Sequence, residues 1–207
     1  MKRIVSFLLI ASAAAFNQVA NAQHISVGAA IGTPFSGGIS DFTLSGVDTV
    51  SHTFSNSNNY LVGPMVDVRL PLNLGFEVDV LFRPVNVTTD STVIPNLTRR
   101  SSNDYASWEF PVLGKYRLPF VPAVKPFVEA GPSFRAKSSS LSYLSGKGFT
   151  IGGGVEVKIL RLRIAPALRY THWGAGATLA SPGSGLFNAA ATPTNQNQGE
   201  FLVGFSF

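Results

Sequence analysis

The chain has 207 residues, 16 Lys/Arg against 11 Asp/Glu for a formal charge of +5, and no cysteine. The missing cysteines exclude a disulfide-stapled scaffold and every familiar cysteine-based zinc spacing. No run of Lys or Arg supports nucleic-acid binding, and the length suits one domain better than two.

Lys2 and Arg3 open the chain, Ile4 to Phe16 follow without a charge, and Ala20-Asn21-Ala22 supplies small residues at the positions a signal peptidase inspects. This is the layout of a secretory signal peptide over 1–22, with Ala20 and Ala22 marking cleavage before Gln23. The apolar run is shorter than the roughly 20 residues a membrane helix needs. Residues 23–207 then form the mature domain. Without Lys2 and Arg3 it keeps 14 basic residues against 11 acidic ones, a net charge of +3, so the high pI comes partly from the leader.

The mature chain alternates with period 2, the signature of strands with one apolar face. Near 25–33, Ile25, Val27, Ala29 and Ile31 oppose Ser26, Gly28, Ala30 and Gly32. Near 60–70, Val62, Val66, Val68 and Leu70 oppose Gly63, Asp67 and Arg69; near 74–84, Leu74, Phe76, Val78, Val80 and Phe82 oppose Gly75, Glu77, Asp79, Leu81 and Arg83. Near 105–118, Trp108, Phe110, Val112 and Tyr116 oppose Glu109, Lys115 and Arg117; near 125–136, Val128, Ala130 and Phe134 oppose Glu129, Ser133 and Arg135. Near 148–159, Phe149, Ile151, Val155 and Val157 oppose Thr150, Glu156 and Lys158; near 161–172, Leu162, Ile164, Leu168 and Tyr170 oppose Arg163, Ala167 and Arg169. The last strand sets Phe201, Val203, Phe205 and Phe207 against Glu200, Leu202, Gly204 and Ser206.

These eight strands predict an all-β fold: a closed antiparallel transmembrane β-barrel of about eight strands. Long Ser/Asn/Thr/Gly-rich connections are expected at 34–59, 87–104, 137–147 and 173–198, and short ones at 71–73, 119–124 and 160. That asymmetry matches membrane barrels, with short periplasmic turns, long extracellular loops and both termini in the periplasm. A soluble lipocalin-like barrel also alternates, but with its apolar face inside. Here the polar face combines small residues with ions of both signs, which suits a narrow interior. Trp108, Tyr116 and Tyr170 near strand ends suit aromatic girdles. Pro64, Pro111, Pro126, Pro132 and Pro166 run against the scheme, because proline cannot donate to a ladder; bulges or rim positions are expected there.

The signal peptide, the eight alternating strands and terminal Phe207 together resemble the small outer-membrane β-barrel superfamily of OmpX-like and OmpA-type barrels. Trp108-Glu109-Phe110-Pro111-Val112-Leu113-Gly114-Lys115-Tyr116 and Pro126-Phe127-Val128-Glu129-Ala130-Gly131-Pro132 look like its "outer membrane protein β-barrel domain" members. The resemblance implies that Val203, Phe205 and Phe207 form a C-terminal signal read by the barrel assembly machinery, and that outer-membrane lipid surrounds the domain.

Asp67, Glu77, Asp79, Glu109, Glu129, Glu156 and Glu200 fall on predicted inward positions with Arg69, Arg83, Lys115, Arg117, Arg135, Lys158, Arg163 and Arg169. Such a set can line a pore or fill a narrow lumen with structural ion pairs; near-equal numbers of both signs favour the second, since an unpaired buried charge is expensive. Enzyme signals are thin. His24, His52 and His172 are scattered, and Gly174 stands where barrel lipid A deacylases of the PagL type carry a serine two residues after the histidine. Without that nucleophile a Ser–His mechanism has nothing to activate, and His172 reads as a rim histidine beside a girdle tryptophan. The expectation is therefore a non-enzymatic barrel without cofactor or metal, in the bacterial outer membrane. Its role is structural or surface-interacting, through an extracellular ligand at the long loops. A narrow channel and a lipid-modifying barrel enzyme are the alternatives. Phe42, Phe54, Leu186 and Phe187 would be apolar anchors in those loops.

Overall fold

The computed structural model describes residues 24–36, 38–45, 49–57, 60–93, 97–119, 124–137, 141, 144–174, 179–180, 190–191 and 197–207. The leader, with Ala20 and Ala22, lies outside the described residues, as do Leu186 and Phe187. The strands are β1 (His24–Pro34), β2 (Gly38–Ser45), β3 (Thr49–Ser57), β4 (Leu61–Arg69), β5 (Leu74–Asp79), β6 (Leu81–Val93), β7 (Leu97–Arg117), β8 (Val124–Lys137), β9 (Lys147–Ile159), β10 (Leu162–Trp173), β11 (Leu179–Ala180), β12 (Ala190–Ala191) and β13 (Asn197–Ser206).

All barrel pairings are antiparallel, and the sheet closes because β1 pairs on both sides, with β13 (Ala30↔Gly204) and with β4 (Ala30↔Gly63). β5 and β6 pair with β7 in one continuous register (Gly75↔Lys115, Leu81↔Glu109) and so form a single stave. β3 and β4 likewise follow each other along β6 (Ser57↔Val85, Val62↔Phe82). Among the described residues the wall therefore has eight staves. Closure leaves no unpaired edge around the wall, which is how a sheet satisfies its backbone in lipid.

The alternation read in the sequence becomes an inside and an outside. Val27, Ile31, Phe76, Val112, Val128, Ile151, Leu168 and Phe205 are exposed, while Ser26, Glu77, Lys115, Glu129, Glu156, Arg169 and Glu200 are buried. A soluble barrel has the opposite arrangement. From Trp108 to Tyr116, eight residue steps of about 3.3 Å on a strand tilted about 40° span roughly 20 Å, near the height of a membrane-barrel apolar band.

The prolines are absorbed without bulges. Across the Pro64–Val80 position the register of β4 against β5/β6 is unchanged from Met65↔Asp79 to Val62↔Phe82. Val80 N still donates to Pro64 O at 3.0 Å, and only the reciprocal bond is lost. The Val80 carbonyl swings into the space a Cβ of Gly63 would fill. The same device recurs where Gly131 precedes Pro132, with the Val112 carbonyl over Gly131. There β7 and β8 skip two pairs yet keep register from Pro111↔Ser133 to Gly114↔Ala130. Pro166 sits in a similar gap between Ile164↔Val157 and Ala167↔Gly154. Pro111 faces the β5/β6 junction, where the β7 ladder pauses between Val78↔Val112 and Leu81↔Glu109. Pro126 alone is a rim position, its carbonyl accepting from Leu118 N at 2.7 Å. Each proline thus costs one ladder bond on one side, while the other side stays paired.

The two ends differ. One end has tight turns: a 3-10 turn over Pro71–Asn73, and a two-residue hairpin turn at Leu160-Arg161 closed by Leu162↔Ile159. Leu72, Asn73 and Leu160 adopt positive φ there. At the other end much of what reads as loop at 34–59 and 87–104 is strand. β2 and β3 pair from Gly38↔Asn56 to Ser45↔Val50, β3 pairs β6 up to Thr49↔Val93, and β6 pairs β7 up to Val93↔Leu97. This crown misled composition because its residues are Ser, Thr and Asn. They hydrogen-bond across strands, Ser51 to Ser91 and Thr53 to Thr89 at 3.1 Å and Asn86 to Ser102 at 3.0 Å, instead of packing an apolar face.

Candidate functional site

Among the described residues, charged side chains converge in the lumen, and strand parity puts them there. Near the tight-turn end, Arg117 joins Asp67 and donates from Nε to Glu156 Oε2 at 3.0 Å. Arg69 also reaches Glu156, and Arg163 reaches Ser26 Oγ. In the middle, Arg169 reaches Glu77, Asp79 and Glu129, the last two at 2.5 Å. Lys115 joins the same group through Glu77, with Glu129 at 3.4 Å and Asp67 at 3.9 Å, and lies 4.2 Å from the Phe127 ring centroid.

Toward the crown, Arg83 donates to Glu109 at 2.8 and 3.0 Å and to Glu200 at 2.5 Å. Arg135 donates to Glu109 and to Gln198 Oε1, both at 2.8 Å. Trp173 donates from Nε1 to the same Gln198 oxygen at 2.8 Å, and its ring lies 3.7 Å from the Arg135 guanidinium. Two residues nearer the tight turns on β8 and β10, Ser133 and Thr171 are bridged by Thr150, at 2.5 Å and 2.7 Å.

The seven carboxylates expected inside are all buried, and each meets at least one cation. Seven cations face them: Arg83, Lys115, Arg117, Arg135 and Arg169 buried, Arg69 and Arg163 half-buried. Lys158 is different. It is exposed at the tight-turn rim, because its strand position opposite Arg163 lies one step from the turn. Arg salt links of this kind are weak contributors to net stability, but removing one partner strands the others.

The alternation places Ala30, Leu81 and Leu202 on the inward face but leaves Met65, Leu113 and Phe127 unassigned. Ala30, Met65, Leu81 and Leu202 form a buried cluster on β1, β4, β6 and β13. Phe127 and Leu113 also point inward. Their parity with Glu129 and Lys115 was the available signal. Trp173 is a second correction: it is buried in the lumen rather than set in a girdle, being in phase with Arg169 and Thr171. Between these groups an interior cavity of about 10 Å³ remains, bounded by Met65, Glu77, Lys115, Phe127, Arg169 and Leu202. That volume is at or below what one water needs. A larger hollow of about 290 Å³ opens outward, between Phe76, Tyr116 and Val128.

His172 is exposed, with Nδ1 2.7 Å from Asn197 Oδ1, its register partner on β13. No group of three or more His, Cys, Asp or Glu placed to hold a metal occurs among the described residues. Phe201, Phe205 and Phe207 are exposed on the outer wall, Val203 is half-buried, and Phe207 N donates to Val27 O at 3.1 Å.

No family model and no curated protein matches the chain. Among solved structures it is similar to the outer membrane protein OprG from Pseudomonas aeruginosa, with a TM-score of 0.51 and 15% identity over 89% of this chain and 93% of that one. This chain has the fold of an outer-membrane β-barrel. At that identity the likeness is one of fold.

Proposed function

We propose that this is an integral outer-membrane β-barrel protein without enzymatic activity, whose barrel is a rigid anchor for the polar crown it holds at the cell surface. The observation that carries the reading is the inversion of the wall, apolar outside and ion-paired inside. Only a lipid surround makes that arrangement favourable, because in water the exposed Val, Phe and Ile would be driven to associate. The leader over 1–22 would deliver the chain to the periplasm. Val203, Phe205 and Phe207 would serve the assembly machinery, and the tight turns would face the periplasm.

The lumen supports an anchoring role over a conducting one: paired charges of both signs and buried Leu, Met and Phe fill it, with no lined path. His172 supports no hydrolytic role, since its partner is Asn197 and Gly174 follows where a nucleophile would be needed. The test is fractionation of expressing cells, followed by gel mobility of the protein with and without boiling. Recovery in the outer membrane with heat-dependent mobility is expected; recovery as a soluble periplasmic protein would end the proposal.

A further inference from the structure

Among the described residues the closed wall has no edge, but the crown does. β8 follows β7 only as far as Ser107↔Lys137. Above that point β7 continues for ten more residues, Leu97–Ala106, paired with β6 on one side and with no described strand on the other. Thr98 to Asp104 are exposed throughout. An exposed edge of this length is a template for another strand.

The sequence of that edge selects the strand that fits it. Two copies of one edge can pair antiparallel only about a twofold axis normal to the sheet, which preserves faces and therefore requires opposed residue numbers to have an even sum. Centred on Ser102, that symmetry sets Ser101 opposite Asn103, Arg100 opposite Asp104 and Arg99 opposite Tyr105, each twice. The edge is thus complementary to itself in charge and in cation–π pairing. Asp104, Ser102 and Arg100 already share one sheet face, since Asn86 bonds both Ser102 and Asp104 and Asp90 bonds Arg100. Arg100 uses Nε and Nη2 on Asp90, which leaves Nη1 for a second carboxylate.

We propose that the outer half of β7 is a homotypic docking edge for a second copy of this chain held in an apposed membrane. The axis fixes the geometry: the crown sheet rises from the barrel, so its normal lies in the membrane plane. A twofold along that normal turns the partner barrel upside down, into the membrane of a neighbouring cell. One such pair is small, and attachment between surfaces would come from many copies acting together. This inference rests on the membrane reading of the barrel.

The test uses the full mature protein in lipid vesicles, with vesicle clustering followed by light scattering. Flotation of protein with the vesicles first confirms insertion, so failure of the barrel reading is seen separately from failure of docking. The wild type should cluster vesicles. Asp104→Arg, which leaves the Asp90–Arg100 pair in place, should reduce clustering at least tenfold. Register is read independently by cysteine, which the native chain lacks. Ser102→Cys should form disulfide dimers with itself, because directly opposed residues fall within disulfide range. Ser101→Cys should form them only with Asn103→Cys. Clustering indifferent to Asp104→Arg, or no Ser102→Cys dimer under oxidation, would overturn the proposal.

Discussion

Arg169 on β10 and Asp79 on β5 lie 2.5 Å apart although β9, β8 and β7 separate them around the wall. They meet through the middle of the barrel, and Glu129 and Glu77 share the same guanidinium. The lumen is therefore closed by side chains at this height, and one arginine bonds three of its seven carboxylates.

Arg169→Ala should destabilise the barrel more than any other single lumen substitution, by about 3–5 kcal/mol, because it leaves buried Asp79 without its cation and takes one of two cations from Glu77 and Glu129. Urea unfolding of the detergent-folded protein measures it. Arg169→Lys should fall between, since one ammonium cannot reproduce the planar fork. An unchanged midpoint for Arg169→Ala would show that the network does not hold the lumen.

The purified barrel should give no steady channel in planar bilayers. Ion-paired Arg, Lys, Asp and Glu side chains and buried Met65, Phe127 and Leu202 fill the described lumen. Reproducible single-channel openings would contradict this and favour the narrow-channel alternative.

Gly63→Val and Gly131→Val should each lower the yield of folded barrel, since a side chain at either place collides with the carbonyl of Val80 or Val112. Overpacking of this kind costs about 1–3 kcal/mol. Gly114→Ala is the control: its nearest neighbour is Ala130 O at 3.6 Å, an ordinary contact, and folding should be unchanged. Equal yields of all three would refute the carbonyl–glycine account of the prolines.

The crown should loosen in acid before the barrel does. The hydrogen-bonded Arg100 guanidinium holds the Asp90 carboxyl below its ordinary range. A carboxylate depressed in the folded state stabilises above its unfolded pKa and loses that contribution as pH falls through the folded value. Acid-protease cleavage within 85–105 should therefore rise below about pH 4, and Asp90→Asn should cleave readily even at higher pH. Cleavage independent of both would remove the pair from the crown's stability.

Much of the barrel was legible because alternation is read directly by the wall: Val27, Phe76, Val128 and Phe205 face out and Glu77, Glu129 and Glu200 face in, as period 2 requires. Three things were not. The crown strands are polar on both faces, so nothing periodic separates Thr88-Thr89-Asp90 from a loop, and only pairing to β3 and β7 defines them. The inward hydrophobics Met65 and Phe127 look like lipid-facing residues by type, and only their phase betrays them, whereas the alternation already sets Leu81 and Leu202 inward. The prolines looked prohibitive because their compensation lies on the neighbouring stave, in the Val80 and Val112 carbonyls, which local sequence does not display.

The wall's inside and outside are most directly separated by the two tryptophans, the only ones in the chain. Trp108 is 43% exposed on the outer face and packs edge-on to Phe82, whereas Trp173 is 2% exposed in the lumen. In vesicles of lipids brominated along the acyl chains, Trp173→Phe protein, which keeps Trp108, should be strongly quenched. Trp108→Phe protein, which keeps Trp173, should be nearly unquenched. Equal quenching of the two, or stronger quenching of Trp173, would contradict a barrel with its apolar face in lipid and its ions inside.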